Sequence, residues 1–216
     1  MIPASALVDK VRLLINEPDE DVTLAALSED TRKLGDTIRV LLHDAIFFVQ
    51  HNKSYGALNP AVYEPAAMDI KDNGDGTGEV ALPRDYVSLL QFQLEGWERP
   101  CMLLYPADSA MAMAQKNPHT RAGVCKPVCV EGVNSDAIPV LCYYSLPASK
   151  EPVVRSFVYE ALYDEEKGLN CAPSNPLVQA VVYQCVALLY NMFERRESAN
   201  AFMSLAQIWC NKGKTE

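Results

Sequence analysis

Residues 175–193, NPLVQAVVYQCVALLYNMF, carry no charged side chain, and the rest of the chain is read outward from them. Asn175 is a helix-capping side chain and Pro176 suits a first helical position, so a helix is expected over 177–193. Its apolar residues occupy most faces, which predicts a helix buried nearly all round at the centre of the fold. The uncharged run reaches back to Asn170, but Asn170, Pro173, Ser174, Asn175, Pro176, Gln179, Gln184 and Asn191 interrupt it. Its continuous apolar part is far short of the ~20 residues a membrane span needs, so no membrane partner is expected.

Further helices flank this one. Residues 199–211 place Phe202, Leu205, Ile208 and Trp209 on one side, with Lys212 in the last turn and Gly213 able to end the helix. A polar break is expected at 194–198. Toward the N-terminus, Leu7, Val11, Leu14 and Ile15 define a helix over 3–16, with Asp9, Lys10 and Arg12 opposite, Ser5 as a cap and Pro18 beyond its end. The acidic residues 17–21 read as a loop. A longer helix over 28–52 has Ser28 as N-cap, Glu29 and Asp30 in its first turn, and a stripe of Leu34, Ile38, Leu41, Leu42, Ala45, Phe48 and Val49. Gly35 weakens it slightly.

Between the helical pairs the pattern changes. Residues 52–65 form an irregular connector broken by Gly56, Pro60 and Pro65, yet rich in Tyr55, Leu58, Val62 and Tyr63. Asp72-Asn73-Gly74-Asp75-Gly76 is a strong turn signal between two apolar segments and predicts a hairpin. Strands are expected at 87–94, 101–105, 126–131, 140–145 and 153–162, and a short helix at 107–115. The expected fold class is mainly α with a β insertion (α+β): a four-helix bundle core with a small antiparallel insertion. Residues 1–65 would supply a helical pair and connector, 66–165 the insertion, and 166–216 the pair completing the same bundle, as one domain overall.

Composition narrows the function classes. The chain has 216 residues, 49% hydrophobic and 22% charged, a balance typical of a folded chain. Its net charge of −9 disfavours binding to phosphate-rich nucleic acid or anionic lipid. The close basic candidates are Arg195-Arg196 and the tail residues Lys212 and Lys214. Seven cysteines, an odd number and several within apolar runs, read as free thiols in a reducing compartment, and the start at Met1-Ile2-Pro3 does not read as a signal peptide.

No motif for catalysis stands out. Cys125 and Cys129 with His119 fall short of the four ligands of a structural zinc site. Residues 72–79 place Lys71 where a calcium loop needs its first carboxylate. Gly74, Gly76 and Gly78 are crowded by acidic residues that would repel a phosphate. Cys101 or Cys125 with His43 or His119 is the available nucleophile–base combination. No cofactor, metal or catalytic residue is therefore expected. The expected contact residues are aromatics in loops, at corners or near the terminus, Tyr55, Tyr63, Trp97 and Trp209, together with Lys212 and Lys214.

The order of several short motifs resembles the head-to-tail adaptor (neck ring) proteins of short-tailed bacteriophages. The motifs are ASALVDKVRLLIN at 4–16, His43-Asp44-Ala45-Ile46, Leu82-Pro83-Arg84-Asp85-Tyr86, Tyr144-Ser145-Leu146-Pro147, and a Tyr…Arg…Ala-Phe-x-x-x-Ala pattern over 190–206. Together they span nearly the whole chain. The resemblance implies a non-enzymatic virion protein in a ring of twelve copies, made in the host cytoplasm, bound to the portal protein and to other tail or neck ring proteins. DNA would pass through its central hole without specific binding. Two rival readings are a regulatory adaptor binding one protein partner and a thiol-dependent enzyme using Cys101, Cys125 or Cys129.

Overall fold

The computed structural model describes residues 1–15, 27–147 and 150–212, with the backbone alone over 27–33 and at Ala67. The acidic residues 17–21, the side chains of Ser28, Glu29 and Asp30, and Gly213 and Lys214 lie outside the described residues. The chain divides into two compact units. One combines Met1–Asn59 with Leu162–Glu216, and the other is Pro60–Ala161.

The first unit is helical: α1 (Ala4–Ile15), α2 (Leu27–Asn52), α4 (Pro176–Met192) and α5 (Arg196–Asn211). Helix α4 begins where its cap dictates. The Asn175 side-chain oxygen accepts from the Leu177 amide at 3.0 Å, and its amide nitrogen donates to the Ala57 carbonyl at 2.9 Å. Ten residues of α4 are buried, Leu177 to Leu189, and they cover all sides of the helix. Leu7 and Val11 of α1 and Ile38, Leu42, Ile46 and Val49 of α2 join them in one core, as does Cys210 of α5. The N-terminus is fixed to this unit by paired backbone hydrogen bonds between Ile2 and Leu169, of 2.8 and 2.9 Å. Gly168, at φ +70°, passes so near the Ile2 carbonyl that no side chain would fit there.

The second unit holds all eight named strands and α3 (Ala110–Gln115). A three-stranded antiparallel sheet has the order β1 (Pro60–Val62), β8 (Val154–Ala161), β4 (Tyr86–Leu94). A five-stranded sheet has the order β2 (Ile70–Asp72), β3 (Gly78–Ala81), β7 (Pro139–Tyr143), β6 (Cys129–Val133), β5 (Leu104–Tyr105). The hairpin β2–β3 turns through Gly74 and Gly76, at φ +78° and +82°. Pairing is antiparallel throughout the larger sheet except for the parallel pair β5–β6. Alternation sorts its side chains: Cys129, Leu141 and Tyr143 enter a core shared with Phe92 and Leu94 of β4 and Phe157 of β8. Val130 and Cys142 point the other way and pack with Ala112 of α3.

The expectation of a four-helix bundle core with a small antiparallel insertion is overturned. The chain is an α+β protein with five α-helices and two sheets among the described residues. Two physical reasons account for the difference. The aromatic and β-branched residues of 80–161 bury one another in a separate core instead of projecting from a helical one. The helices pack about α4, which is apolar on every side, rather than sharing a seam among four equivalent amphipathic helices. Residues 60–62, placed in the irregular connector, form edge strand β1 instead, held by pairing with β8 rather than by any pattern of their own.

Candidate functional site

The last turn of α5 lies against the segment that follows α2. The Tyr55 hydroxyl donates to the Trp209 carbonyl at 2.9 Å, and the Ser54 hydroxyl donates to the Asn211 side-chain oxygen at 2.5 Å. The Ser54 amide reaches the Cys210 carbonyl at 3.1 Å. The bonds to Trp209 and Cys210 satisfy carbonyls that a helix end leaves without an intrahelical partner. The Lys212 ammonium sits 3.7 Å from the centre of the Trp209 ring, a close cation–π contact. Burial pushes the Tyr55 phenol above its ordinary range. Three of the expected contact residues, Tyr55, Trp209 and Lys212, are thus brought together in one lock at the end of α5.

The other candidates lie elsewhere. Trp97 is 3% exposed and belongs to the core of the second unit. Its indole donates to the Ser145 carbonyl at 3.0 Å, and Phe92 packs edge-on to it at 5.6 Å. Tyr63 is half-buried, edge-on to Phe157 at 5.5 Å and to Tyr159 at 6.4 Å. Its phenol is pushed up by burial and then by the nearby Asp69 carboxylate.

The sequence reading passed over a different set of residues. Val40 and Phe47, seven apart on α2, face outward, with Phe47 54% exposed. On α5, Leu205 and Ile208 do the same, and Ile208 is 59% exposed. Met192 and Phe193, where α4 ends, are each 58% exposed. Helical spacing had placed Leu205 and Ile208 on one side of their helix with Phe202 and Trp209, without saying whether that side is covered. Periodicity gives a helix two candidate faces, and neighbours decide which is covered. The second unit exposes Met102, Leu103, Val133 and Ile138. It also has an apolar hollow of about 370 Å³ lined by Leu82, Tyr86, Ala107, Val133, Pro139 and Val140, whose one carboxylate is Glu131.

The groups considered for chemistry are dispersed. Among the described residues, no three His, Cys, Asp or Glu side chains lie close enough to hold a metal ion. His43 and Asp44 border a hollow of about 260 Å³ with Phe47, Gln50, Leu162 and Tyr163, and the His43 ring meets the Tyr163 ring at 4.9 Å. All seven cysteines are free thiols. The exposed Cys125 donates to a Glu98 carboxylate oxygen at 3.1 Å, and that hydrogen bond raises its pKa. Cys101 and Cys129 are both buried, and the Cys101 thiol donates to the Leu103 carbonyl at 3.1 Å. No histidine is among the groups that set the titration of these three thiols.

No helix among the described residues is long and apolar enough to cross a membrane. The sequence matches no family model, and it matches no characterised protein.

Proposed function

We propose that this protein is a structural subunit of a ring joining a bacteriophage portal to its tail, acting through protein–protein contacts and not by catalysis. The observation that carries this reading is the set of large apolar side chains on the outer faces of the first unit: Val40 and Phe47 on α2, Leu205 and Ile208 on α5, and Met192 and Phe193 at the end of α4. Exposed apolar groups cost free energy in water and are covered when a subunit enters an assembly. The lock of Tyr55, Trp209 and Lys212 fixes the orientation of α5 and therefore of Leu205 and Ile208.

Charge supports the same role. A net charge of −9 gives a ring that does not retain phosphate, so DNA would pass through it without adhering. The order of motifs along the chain points to this assembly over others.

The test is a tagged pull-down from the native source, with mass spectrometry of the partners and electron microscopy of the eluate. Rings co-eluting with a portal-like protein and tail proteins are expected. The double variant Leu205→Glu, Ile208→Glu should keep its far-ultraviolet circular dichroism and lose the rings. A chain that elutes with one discrete non-viral partner would replace this reading with that of a regulatory adaptor.

A further inference from the structure

The hollow bordered by His43, Asp44, Phe47, Gln50, Leu162 and Tyr163 is walled by rings. The His43 ring meets Tyr163 edge-on at 4.9 Å, and Phe47 lies against His51 at 4.0 Å, so the walls brace one another. Acidic groups outnumber basic ones around it. Glu165 pairs with Arg39 at 3.7 Å and Asp164 with Lys167 at 3.4 Å. Asp44 has no ion-pair partner among the described residues. After burial itself, the charges of Glu165 and then Asp164 push the Tyr163 phenol up, with Arg39 opposing them. Aromatic walls beside an unpaired carboxylate suit a guanidinium, which stacks on rings and forks to an acid.

The same chain carries such a group at the corner between α4 and α5. Exposed Met192 and Phe193 are followed there by exposed Arg195 and Arg196, and neither arginine has an ion-pair partner among the described residues. The corner is held in shape by the Glu194 amide on the Asn191 carbonyl, at 3.1 Å, and the Arg195 amide on that of Tyr190, at 3.0 Å. Its carboxylates are Glu194 and Glu197. Glu197 sits in the first turn of α5, where the helix dipole favours it. The longer arginine stems reach beyond both.

One copy cannot bring its own corner to its own hollow. The Cys185 thiol of α4 meets the Ile38 carbonyl of α2 at 3.8 Å, and Asn175, which caps α4, bonds to Ala57 beyond the end of α2. The two helices therefore run antiparallel. From that crossing Phe47 lies toward one end and Phe193 toward the other, about 25 Å apart along the axes at ~1.5 Å per residue. We propose that the α2 hollow receives the α4–α5 corner of a second copy, with Phe193 against Phe47 and a guanidinium of the Arg195-Arg196 pair on Asp44. Two different surfaces of the subunit then meet head to tail, a contact that repeats from copy to copy and makes a ring where the rotation closes. This contact supplies the link between copies in the proposed ring, and only its closure rests on that reading.

The test is sedimentation velocity of the full chain over rising concentration. The wild-type chain should self-associate. A hollow variant, Asp44→Asn with Phe47→Ser, and a corner variant, Phe193→Ser with Arg195→Gln and Arg196→Gln, should each weaken association ~tenfold or more and keep the wild-type circular dichroism. Mixed, the two variants should form a heterodimer and nothing larger, because one intact hollow and one intact corner remain between them. A wild-type chain that stays monomeric, variants that associate as the wild type does, or a mixture that stays monomeric would overturn the proposal. Where a variant does not fold, p-benzoylphenylalanine in place of Phe193 decides the matter by photocrosslinking. Crosslinks to residues 43–50 of a second, isotope-labelled copy are expected. Crosslinks elsewhere on the chain, or to a different protein in the native-source pull-down, overturn it. Rings in that pull-down that survive both variants would remove this contact and leave the ring reading standing. Heterodimers from a chain that recovers no portal-like protein would keep the contact and remove the ring.

Discussion

Tyr143 is buried in β7, and among the described residues its hydroxyl has no hydrogen-bond partner. Gly78, across the β3–β7 pairing, leaves the space that hydroxyl occupies, since a Cβ there would meet it and the Lys71 carbonyl. A buried polar group without a partner costs about 1–3 kcal/mol. Tyr143→Phe keeps the ring and removes the penalty, so it should raise stability by about 1 kcal/mol, read from urea denaturation. Gly78→Ala should instead lower stability by about 2 kcal/mol through overpacking. A lower midpoint for Tyr143→Phe would show that the hydroxyl is satisfied in solution. At this scale Gly78 was legible only as part of a glycine-rich turn. Its partner lies 65 positions away in sequence, and only strand pairing brings the two together.

At the scale of elements, the junction of α4 and α5 is more definite than the polar break read from residues 194–198. Glu194 adopts φ +58°, its amide donates to Asn191 at 3.1 Å, and the next amide, that of Arg195, donates to Tyr190 at 3.0 Å. This is the Schellman closure of a helix end, a position where glycine is common because it carries no steric penalty. Glu194→Gly should therefore stabilise the chain by about 1 kcal/mol, detectable as a higher thermal midpoint. An unchanged or lower midpoint would mean that the greater freedom of glycine in the unfolded chain offsets the relieved strain. Here the sequence placed the end of α4 and hid the geometry of the turn, because a glutamate stands where glycine would have announced it. It also hid the start of α5, which begins at Arg196 directly after that closure instead of at 199.

At the scale of the molecule, each unit carries its own core. Pro60–Ala161 is one continuous piece of chain, and of a length that commonly folds alone. Expressed as residues 60–161, it should give a dispersed amide spectrum and a cooperative melt. The helical unit is made of two pieces whose ends meet, since the Asn59 side chain donates to the Leu162 carbonyl at 3.1 Å. Joining Asn59 to Leu162 through a short Gly-Ser linker should leave a folded helical protein, monitored by circular dichroism at 222 nm. Broad, undispersed amide signals from residues 60–161 would show that the two cores stabilise each other. The exposed apolar residues of α2 and α5, on which the proposed ring assembly rests, stay on the helical unit, so the linked version is also the minimal piece for partner-binding trials.

The sequence by itself determined the local features: where α1, α2 and α4 lie, the Asn175 cap, the β2–β3 turn, and most strand positions between 86 and 161. These follow from periodicity, capping and turn chemistry, which act over a few residues. Tertiary structure decided which elements share a core, how eight strands divide between two sheets, and that β5 runs parallel to β6. It also decided that Trp97 is interior, that Tyr55, Trp209 and Lys212 meet, and that Ile208 faces out. The physical reason is common to all of these. Apolar side chains fix that a surface must be covered, but what covers it depends on residues far away in the chain, whose pairing leaves no local pattern.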